Sequence, residues 1–569
     1  MSRSDTTADA DHLSGAEALV AMLGKLEVDT VFGLCGDTTL PWYDALARME
    51  HGIRHFLTRD ERHAAYMADA YARISGRVGV CEGPSGGGAT YILPGVVEAN
   101  ESSVPILAIT TDVSTSARGR FPLTELDQKA LFRPLTKFND MLDDAATLPA
   151  QLRETFRQMT TGRPGAAHLG LPFDTQKGMV QAREVWADAS FGRYPAEPVA
   201  ADEGEAEKLL EVLASAKQPV IICGGGVVLA GAEEALDEFA RNLGCVVLTT
   251  VSGQGSLAET HALCAGVVGS NGGVPETRHL VEQADAVFFI GCRAGSVTTE
   301  RWRYPSPTQR IVHLDNDAAV LNCNYPTEAA MLCDARLGLE RLNRLWRGRP
   351  ALNNGAAKRV AEAWRSKLQR FDALANADHS PIRPERVIRA LMDQLPDDAI
   401  VCADPGTPCP YFSAYYRWPK AGRCFITNRA HGALGYAMAA AMGAHIAAPE
   451  RKVIAAMGDG SFAFCAGELE TLKRYNIPVV MLVFSNACYG WIKAGQKSGF
   501  EKRYYNVDFS RTDHAAVASA YGIRSFTVEQ PGQLDPVLDQ ALAMNEPVMI
   551  DVISQPLQDS EAPVSEWVA

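Results

Sequence analysis

An α/β fold of three doubly wound parallel-sheet domains is predicted by three features of this sequence. Short β-branched apolar runs alternate with longer amphipathic stretches almost throughout, as in strands joined by crossover helices. The length, 569 residues, exceeds what one hydrophobic core supports. A polar, Arg- and Ala-rich stretch interrupts the strand rhythm over residues 347–380. In the first third, residues 55–57, 78–81 and 104–109 read as strands, with helices near 64–74 and 89–99. That unit closes near Pro172-Phe173-Asp174, which sets a first domain at residues 1–185. Strands at 220–223, 246–249, 286–290 and 311–314 set a Rossmann-like middle domain at 196–345. Residues 346–380 read as a helical linker with one or two breaks, and 381–569 as the third domain. The tail from Ser554 is polar and contains proline, so disorder is expected there, a lid being the alternative.

Composition narrows the function. Hydrophobic residues make up 47% and charged residues 21%, enough apolar material for several cores. A formal charge of −14 argues against nucleic acid, whose phosphates need clustered Lys and Arg. There is no run of eighteen apolar residues and the start is polar and acidic, so neither a membrane span nor a signal peptide is expected and the cytoplasm is the expected location. The thirteen cysteines are odd in number and sit in apolar runs such as Val220-Ile221-Ile222-Cys223. Reduced core thiols suit that pattern better than disulfides or a zinc cluster.

The most informative segment contains Met457-Gly458-Asp459-Gly460-Ser461 and, 27 positions after Asp459, Asn486. Residues 453–457 and 479–484 read as strands flanking a helix at 465–474, one βαβ unit. Asp459 and Asn486 then lie just past two strand carboxyl ends, where parallel sheets bind ligands. A carboxylate, an amide oxygen and a backbone carbonyl suit a hard cation carrying phosphate oxygens, magnesium rather than zinc. Gly458 and Gly460 lack Cβ and let backbone approach a diphosphate, and the helix that follows offers N–H groups. The alternative is a plain Gly-Asp-Gly turn with Asn486 as a helix cap.

Gly-Asp-Gly followed by Asn at this interval resembles the thiamine-diphosphate motif of the acetolactate synthase and pyruvate decarboxylase superfamily. The resemblance spans nearly the whole chain and is nearest the acetolactate synthase-like branch. It is carried also by Val31-Phe32-Gly33 with Leu40-Pro41-Trp42-Tyr43-Asp44-Ala45-Leu46, by Arg59-Asp60-Glu61, Tyr71-Ala72-Arg73, Arg133-Pro134-Leu135-Thr136-Lys137 and Arg163-Pro164-Gly165. It implies two thiamine-diphosphate-binding domains flanking the Rossmann-like one. It implies that Asp459, Asn486 and the carbonyl of Cys488 bind Mg2+, and that Gly406, Gly458, Gly460, Ser461, Tyr489 and Gly490 line the cofactor. Glu61 matches the catalytic glutamate that stabilises the imino tautomer of the aminopyrimidine; its alternative is a cap for the helix near Ala64. Leu434 matches the apolar residue that bends the cofactor, the alternative being an ordinary core leucine. Lys137 matches a lysine near the site. A homodimer is implied at minimum, and a homotetramer is the expected assembly.

Several pocket positions depart from acetolactate synthase. Ser85-Gly86-Gly87-Gly88-Ala89-Thr90-Tyr91 replaces Ser-Gly-Pro-Gly-Ala-Thr-Asn, and Leu123-Thr124-Glu125 replaces Phe-Gln-Glu. Trp491 stands where the family has methionine, and Gly495 where it has the tryptophan associated with choosing the second keto acid. Asn428-Arg429-Ala430-His431 replaces an apolar stretch. His431 is a candidate proton donor and Arg429 and Lys493 are candidates for holding a substrate anion, against structural and surface roles. Gly291-Cys292-Arg293 resembles the FAD or ADP segment, but Ala294-Gly295-Ser296-Val297 breaks the match, and the run Gly224-Gly225-Gly226 is by itself a turn pattern. The expected activity is decarboxylation of a 2-keto acid followed by carbon–carbon bond formation. The alternatives are a 2-keto acid decarboxylase, a 2-hydroxyacyl-CoA lyase, or a catalytically silent nucleotide-binding subunit.

Overall fold

The computed structural model describes residues 11–567; the polar start, residues 1–10, and the last two residues of the tail lie outside it. The chain forms two compact units, one up to Glu197 and one from Pro198 onward.

The first unit is built on strands β1 (Thr30–Gly33), β2 (Arg54–Leu57), β3 (Gly79–Gly83), β4 (Ile106–Asp112), β5 (Phe138–Met141) and β6 (Ala167–Pro172). Their order is β2-β1-β3-β4-β6-β5, with every pairing parallel. Strands β3, β4 and β6 are buried along their whole length, which explains why they read as continuous apolar runs rather than as alternating ones. Helix α1 (Glu61–Ser75) follows β2. It is tied to the helix Leu93–Glu101 by Arg73, whose guanidinium reaches Asp69 at 2.9 Å and Glu98 at 3.3 Å in near-complete burial. The single helix expected at 89–99 is two, Gly87–Tyr91 and Leu93–Glu101. Pro94 sits in the first turn of the second, the one place where its missing N–H costs nothing.

The second unit holds two more six-stranded sheets. The first has β7 (Pro219–Cys223), β8 (Val246–Thr249), β9 (Cys264–Val267), β10 (Ala286–Ile290), β11 (Arg310–Asp315) and β12 (Ala329–Leu332), in the order β9-β8-β7-β10-β11-β12. The other has β13 (Ile400–Ala403), β14 (Phe425–Thr427), β15 (Val453–Gly458), β16 (Val479–Ser485), β17 (Arg524–Val528) and β18 (Val548–Ile553), in the order β14-β13-β15-β16-β18-β17. Both are wholly parallel. The last sheet repeats the strand order of the first unit, while the middle one has the Rossmann order. The Arg- and Ala-rich stretch contains one long helix, α2 (Ala356–Ala375). Its Trp364 lies in the core of the middle sheet and its Phe371 in that of the last.

The tail corrects the expectation of disorder over residues 554–567. Leu557 is buried, Gly272 N–H donates to Pro563 O at 2.9 Å, and Ser565 N–H donates to Ser270 O at 2.9 Å. Asn271 and Val564 form an antiparallel bridge, and Glu566 pairs with Arg301 and Arg303. These partners lie more than 250 residues away in sequence, so no local pattern announces them. All thirteen cysteines are free thiols, with Cys35 and Cys323 exposed. Among the described residues no helix is long and apolar enough to cross a membrane.

Candidate active site

In the first unit the foremost candidate is Glu61. It is the first residue of α1, and the cap is its neighbour: Asp60 accepts the Arg62 N–H at 2.8 Å. The N-cap position of α1 is therefore filled by Asp60, with Glu61 next in the first turn. The Glu61 side chain is nearly buried. Burial raises its carboxyl above the ordinary value, and the charges of Asp60 and Glu82 add to the rise. Two glycines make room for it. A Cβ at Gly88 would come 3.0 Å from Glu61 Oε1, and one at Gly83 would come 3.1 Å from its Cγ.

Glu82, on β3, was not singled out by sequence reasoning. It is fully buried, accepts from Tyr43 Oη at 2.6 Å and lies 3.1 Å from His55 Nε2. Its signal in the sequence is an acidic residue inside the apolar run Val80-Cys81. Lys137 goes elsewhere. It precedes β5, at the amino edge of a parallel sheet whose carboxyl edge carries Glu61, and its Nζ donates to Thr161 O at 2.7 Å. Within the unit the two do not meet.

In the second unit three neighbouring strands deliver the other candidates at their carboxyl ends. Gly406 follows β13, Asp459 follows β15 and Asn486 follows β16, with β13–β15 and β15–β16 directly paired. Helix α3 (Asp459–Cys465) starts at Asp459 itself, earlier than the helix expected at 465–474, and is followed by a separate helix Leu469–Tyr475. The Asp459 carboxylate is 4% exposed. Its Oδ1 accepts the Gly460 N–H at 2.8 Å, and its Oδ2 accepts those of Asn486 at 2.7 Å and Ala487 at 2.6 Å. Burial raises its carboxyl above the ordinary value, while these three N–H groups oppose the rise. Ala487 takes a φ of 55°, a left-handed conformation that costs a residue with Cβ about 1–2 kcal/mol. The bond to Asp459 holds it there.

Asn486 is half-buried, and its Oδ1 accepts only a weak donor, the Cys488 thiol at 3.3 Å. The Cys488 carbonyl accepts the Gly490 N–H at 2.9 Å, which leaves its second lone pair. Immediately before Asn486, Ser485 donates to Asp551 and lies 2.9 Å from His514 Nδ1, all three buried. That cluster braces the ligand loop. It was not legible beforehand because its members are 29 and 66 residues apart from Ser485.

Leu434 lies partly exposed between β14 and the helix Tyr436–Ala447. Its loop is closed by Asn428 Nδ2 donating to Ala433 O, and by Gly435 N–H to Ser461 Oγ at 3.4 Å. Gly435 has a φ of 85°, and a Cβ there would press on Phe464 at 2.8 Å. Under Gly460 lies the Tyr489 ring, 2.8 Å from where a Cβ would be. At Gly406 and Gly458, by contrast, an added Cβ would meet nothing within 4 Å, so space is left open along these strand ends. Gly490 begins helix α4 (Gly490–Gly499). His431 is exposed. Lys493 is engaged by Asp508 at 2.5 Å.

The donor set fits magnesium. One carboxylate, one amide oxygen and one carbonyl stand together, and among the described residues no group of three His, Cys, Asp or Glu could hold a metal. In the middle sheet the glycines serve packing. Gly226 N–H donates to Gly291 O at 3.1 Å, and a Cβ at Gly226 would lie 2.8 Å from Gly291 Cα. Backbone contact between the ends of β7 and β10 thus leaves no room for a Cβ at Gly224 or Gly226.

Three stretches of the chain match known family descriptions. Residues 13–131 match "Thiamine pyrophosphate enzyme, N-terminal TPP binding domain", 206–342 its "central domain", and 404–552 its "C-terminal TPP binding domain". The chain is 31% identical to a probable acetolactate synthase large subunit of Methanococcus aeolicus, over 96% of this chain and 92% of the relative. It is 31% identical to the acetolactate synthase large subunit of Lactococcus lactis, over 95% and 92%. It is 30% identical to acetolactate synthase isozyme 3 large subunit of Escherichia coli, over 95% and 94%.

Proposed function

As the chain belongs to the thiamine pyrophosphate enzyme family, in its acetolactate synthase-like branch, we propose that it decarboxylates a 2-keto acid and joins the remainder to a second carbonyl compound. The observation that carries this reading is the pair Asp459 and Asn486 on adjacent strand tips, joined by the Asn486 N–H at 2.7 Å, beside Gly406 and Gly458, where an added Cβ would meet nothing within 4 Å. Asp459, Asn486 Oδ1 and Cys488 O would hold Mg2+, and the bare backbone at Gly406 and Gly458 would admit the diphosphate. Thiamine diphosphate supplies, when bound, an acidic ring carbon that adds to a keto carbonyl and a cationic ring that takes up electrons as carbon dioxide leaves.

Glu61 would share its proton with a nitrogen of the aminopyrimidine ring. A carboxyl held above its ordinary value suits that exchange better than one fully ionised. Leu434 would press on the cofactor's apolar faces and keep it bent. His431, exposed at the same edge, would donate a proton to substrate. The resemblance adds a homodimer at minimum and a homotetramer as the expected form. A flavin or ADP is not part of the proposal, because Ala294-Gly295-Ser296-Val297 breaks the match that Gly291-Cys292-Arg293 begins.

The test is mass spectrometry of the full chain with thiamine diphosphate, Mg2+ and a panel of 2-keto acids, alone and with aldehydes. A coupled product that needs both cofactors is expected. Aldehyde alone would make the chain a decarboxylase, and turnover of acyl-CoA substrates alone a lyase. Failure to bind thiamine diphosphate would revive the silent subunit, which the joint presence of Glu61, Asp459 and Asn486 opposes.

A further inference from the structure

One cation at the edge of the second unit has no counter-ion among the described residues. Arg429 is half-buried in the loop that carries Leu434. Its Nη1 donates to Pro405 O at 3.3 Å. The Asn271 amide, turned so that its oxygen faces the guanidinium, accepts from Nε at 3.1 Å, Nη1 at 2.9 Å and Nη2 at 2.6 Å. The guanidinium carbon lies 5.6 Å from the centroid of the Trp491 ring. Every one of these partners is neutral, and among the described residues no carboxylate pairs with Arg429. Its neighbour in charge, Lys493, is already matched by Asp508. A half-buried guanidinium held by neutral oxygens and an aromatic face is oriented but not neutralised, which is the state of an arginine that awaits an anion.

The surroundings say which anion. Arg429 sits between the Gly406 strand end and helix α4, whose first side chain is Trp491. Trp491 and Gly495 are four residues apart and share a face of α4. Against that face lies Trp567 from the tail: the two indoles are 5.0 Å apart at 64°, Trp491 Nε1 donates to Trp567 O at 3.2 Å, and a Cβ at Gly495 would be 3.6 Å from Trp567 Cβ. The ring that α4 lacks at Gly495 is thus supplied by the last turn of the chain. The tail is anchored on both sides of Asn271, by Ser270 and Gly272, so the same segment sets the wall and the arginine's support.

We propose that Arg429 binds the carboxylate of the acceptor substrate, with Trp491 and Trp567 as the apolar wall that limits its bulk. The inference rests on the carboligase reading. It concerns the acceptor because a cation on the donor's carboxylate would stabilise the group that must leave, raising the barrier to decarboxylation, whereas the acceptor keeps its charge throughout.

The experiment uses the full chain with thiamine diphosphate, Mg2+ and pyruvate as donor. Glyoxylate and acetaldehyde serve as acceptors that differ by carboxylate against methyl. The readout is the ratio of their kcat/KM values. Arg429→Met is expected to lower the glyoxylate preference about 10–100-fold, the worth of one charge-assisted contact, and Arg429→Lys to recover part of it. Trp567→Ala is expected to improve benzaldehyde over acetaldehyde by about tenfold. An unchanged ratio in Arg429→Met, or in Arg429→Gln should the first not fold, overturns the inference alone. A wild-type chain that consumes no 2-keto acid overturns the reaction as well.

Discussion

Asp459 at the tip of one strand holds Asn486 at the tip of the next, through a single carboxylate oxygen that accepts the Asn486 N–H at 2.7 Å and the Ala487 N–H at 2.6 Å. The carboxylate is thus the clamp on the loop that carries Asn486, and in the proposed site it would also be a charge for the metal. Asp459→Asn should weaken Mg2+-dependent cofactor binding by at least about tenfold and speed amide hydrogen exchange at residues 486–490. Titration calorimetry giving wild-type affinity would remove Asp459 from the metal site.

Asp60 caps α1, and the proposed role of Glu61 is proton exchange. Glu61→Gln should keep the thermal stability and bind cofactor, while turnover drops about 10²–10⁴-fold. Loss of proton exchange at the cofactor's reactive carbon, followed by NMR, should accompany it. Exchange at the wild-type rate would show that the glutamate serves another purpose.

Gly88 is a packing requirement of that glutamate. A methyl there would lie 2.5 Å from Pro84 Cδ and 3.0 Å from Glu61 Oε1. Gly88→Ala is expected to displace the carboxylate and lower kcat about 100-fold, with the melting temperature changed by only a few degrees. Full activity in a folded Gly88→Ala protein would mean that Glu61 tolerates the shift.

Arg73 joins Asp69 and Glu98 in a setting where none of the three charges reaches bulk water. Removing one member strands the others. Arg73→Ala should destabilise the protein by about 3–5 kcal/mol, read by urea denaturation of the full chain, and should lower activity through α1. A loss below about 1 kcal/mol would show that the acids find other partners.

Glu259 supplies a pH dependence. Burial pushes its carboxyl up to about 7, against the opposing charges of Lys367 and Arg417, and its Oε1 has no hydrogen-bond partner. A carboxyl whose folded value exceeds its unfolded value near 4.5 favours the native state most below the unfolded value. That contribution is lost as pH rises through about 7. The melting temperature of wild type should therefore fall relative to Glu259→Gln between pH 4.5 and 7, and parallel profiles would contradict the assignment.

Much of the fold was legible because its signals are local. The βαβ pattern around Asp459 and Asn486 comes from apolar runs of strand length with a Gly-Asp-Gly turn at one end, and β15 and β16 do pair side by side. The same reasoning missed the short helix Asp459–Cys465, since Gly460 in its first turn reads as loop, while the helix expected at 465–474 overlaps Leu469–Tyr475. The segment of Lys137 fits the family, and topology puts it at the amino edge of its sheet.

By itself the sequence determined the α/β class, the alternation that builds three parallel sheets, and the oxygen-bearing pair at neighbouring strand ends, because each follows from periodicity and spacing within a few dozen residues. Tertiary structure alone decided what surrounds them: the glycine-lined space for Glu61, the buried Ser485, His514 and Asp551 behind the ligand loop, and the tail whose Trp567 rests on Trp491. Those contacts join segments up to hundreds of residues apart, and their energy comes from burying groups together, which no local pattern of residues records.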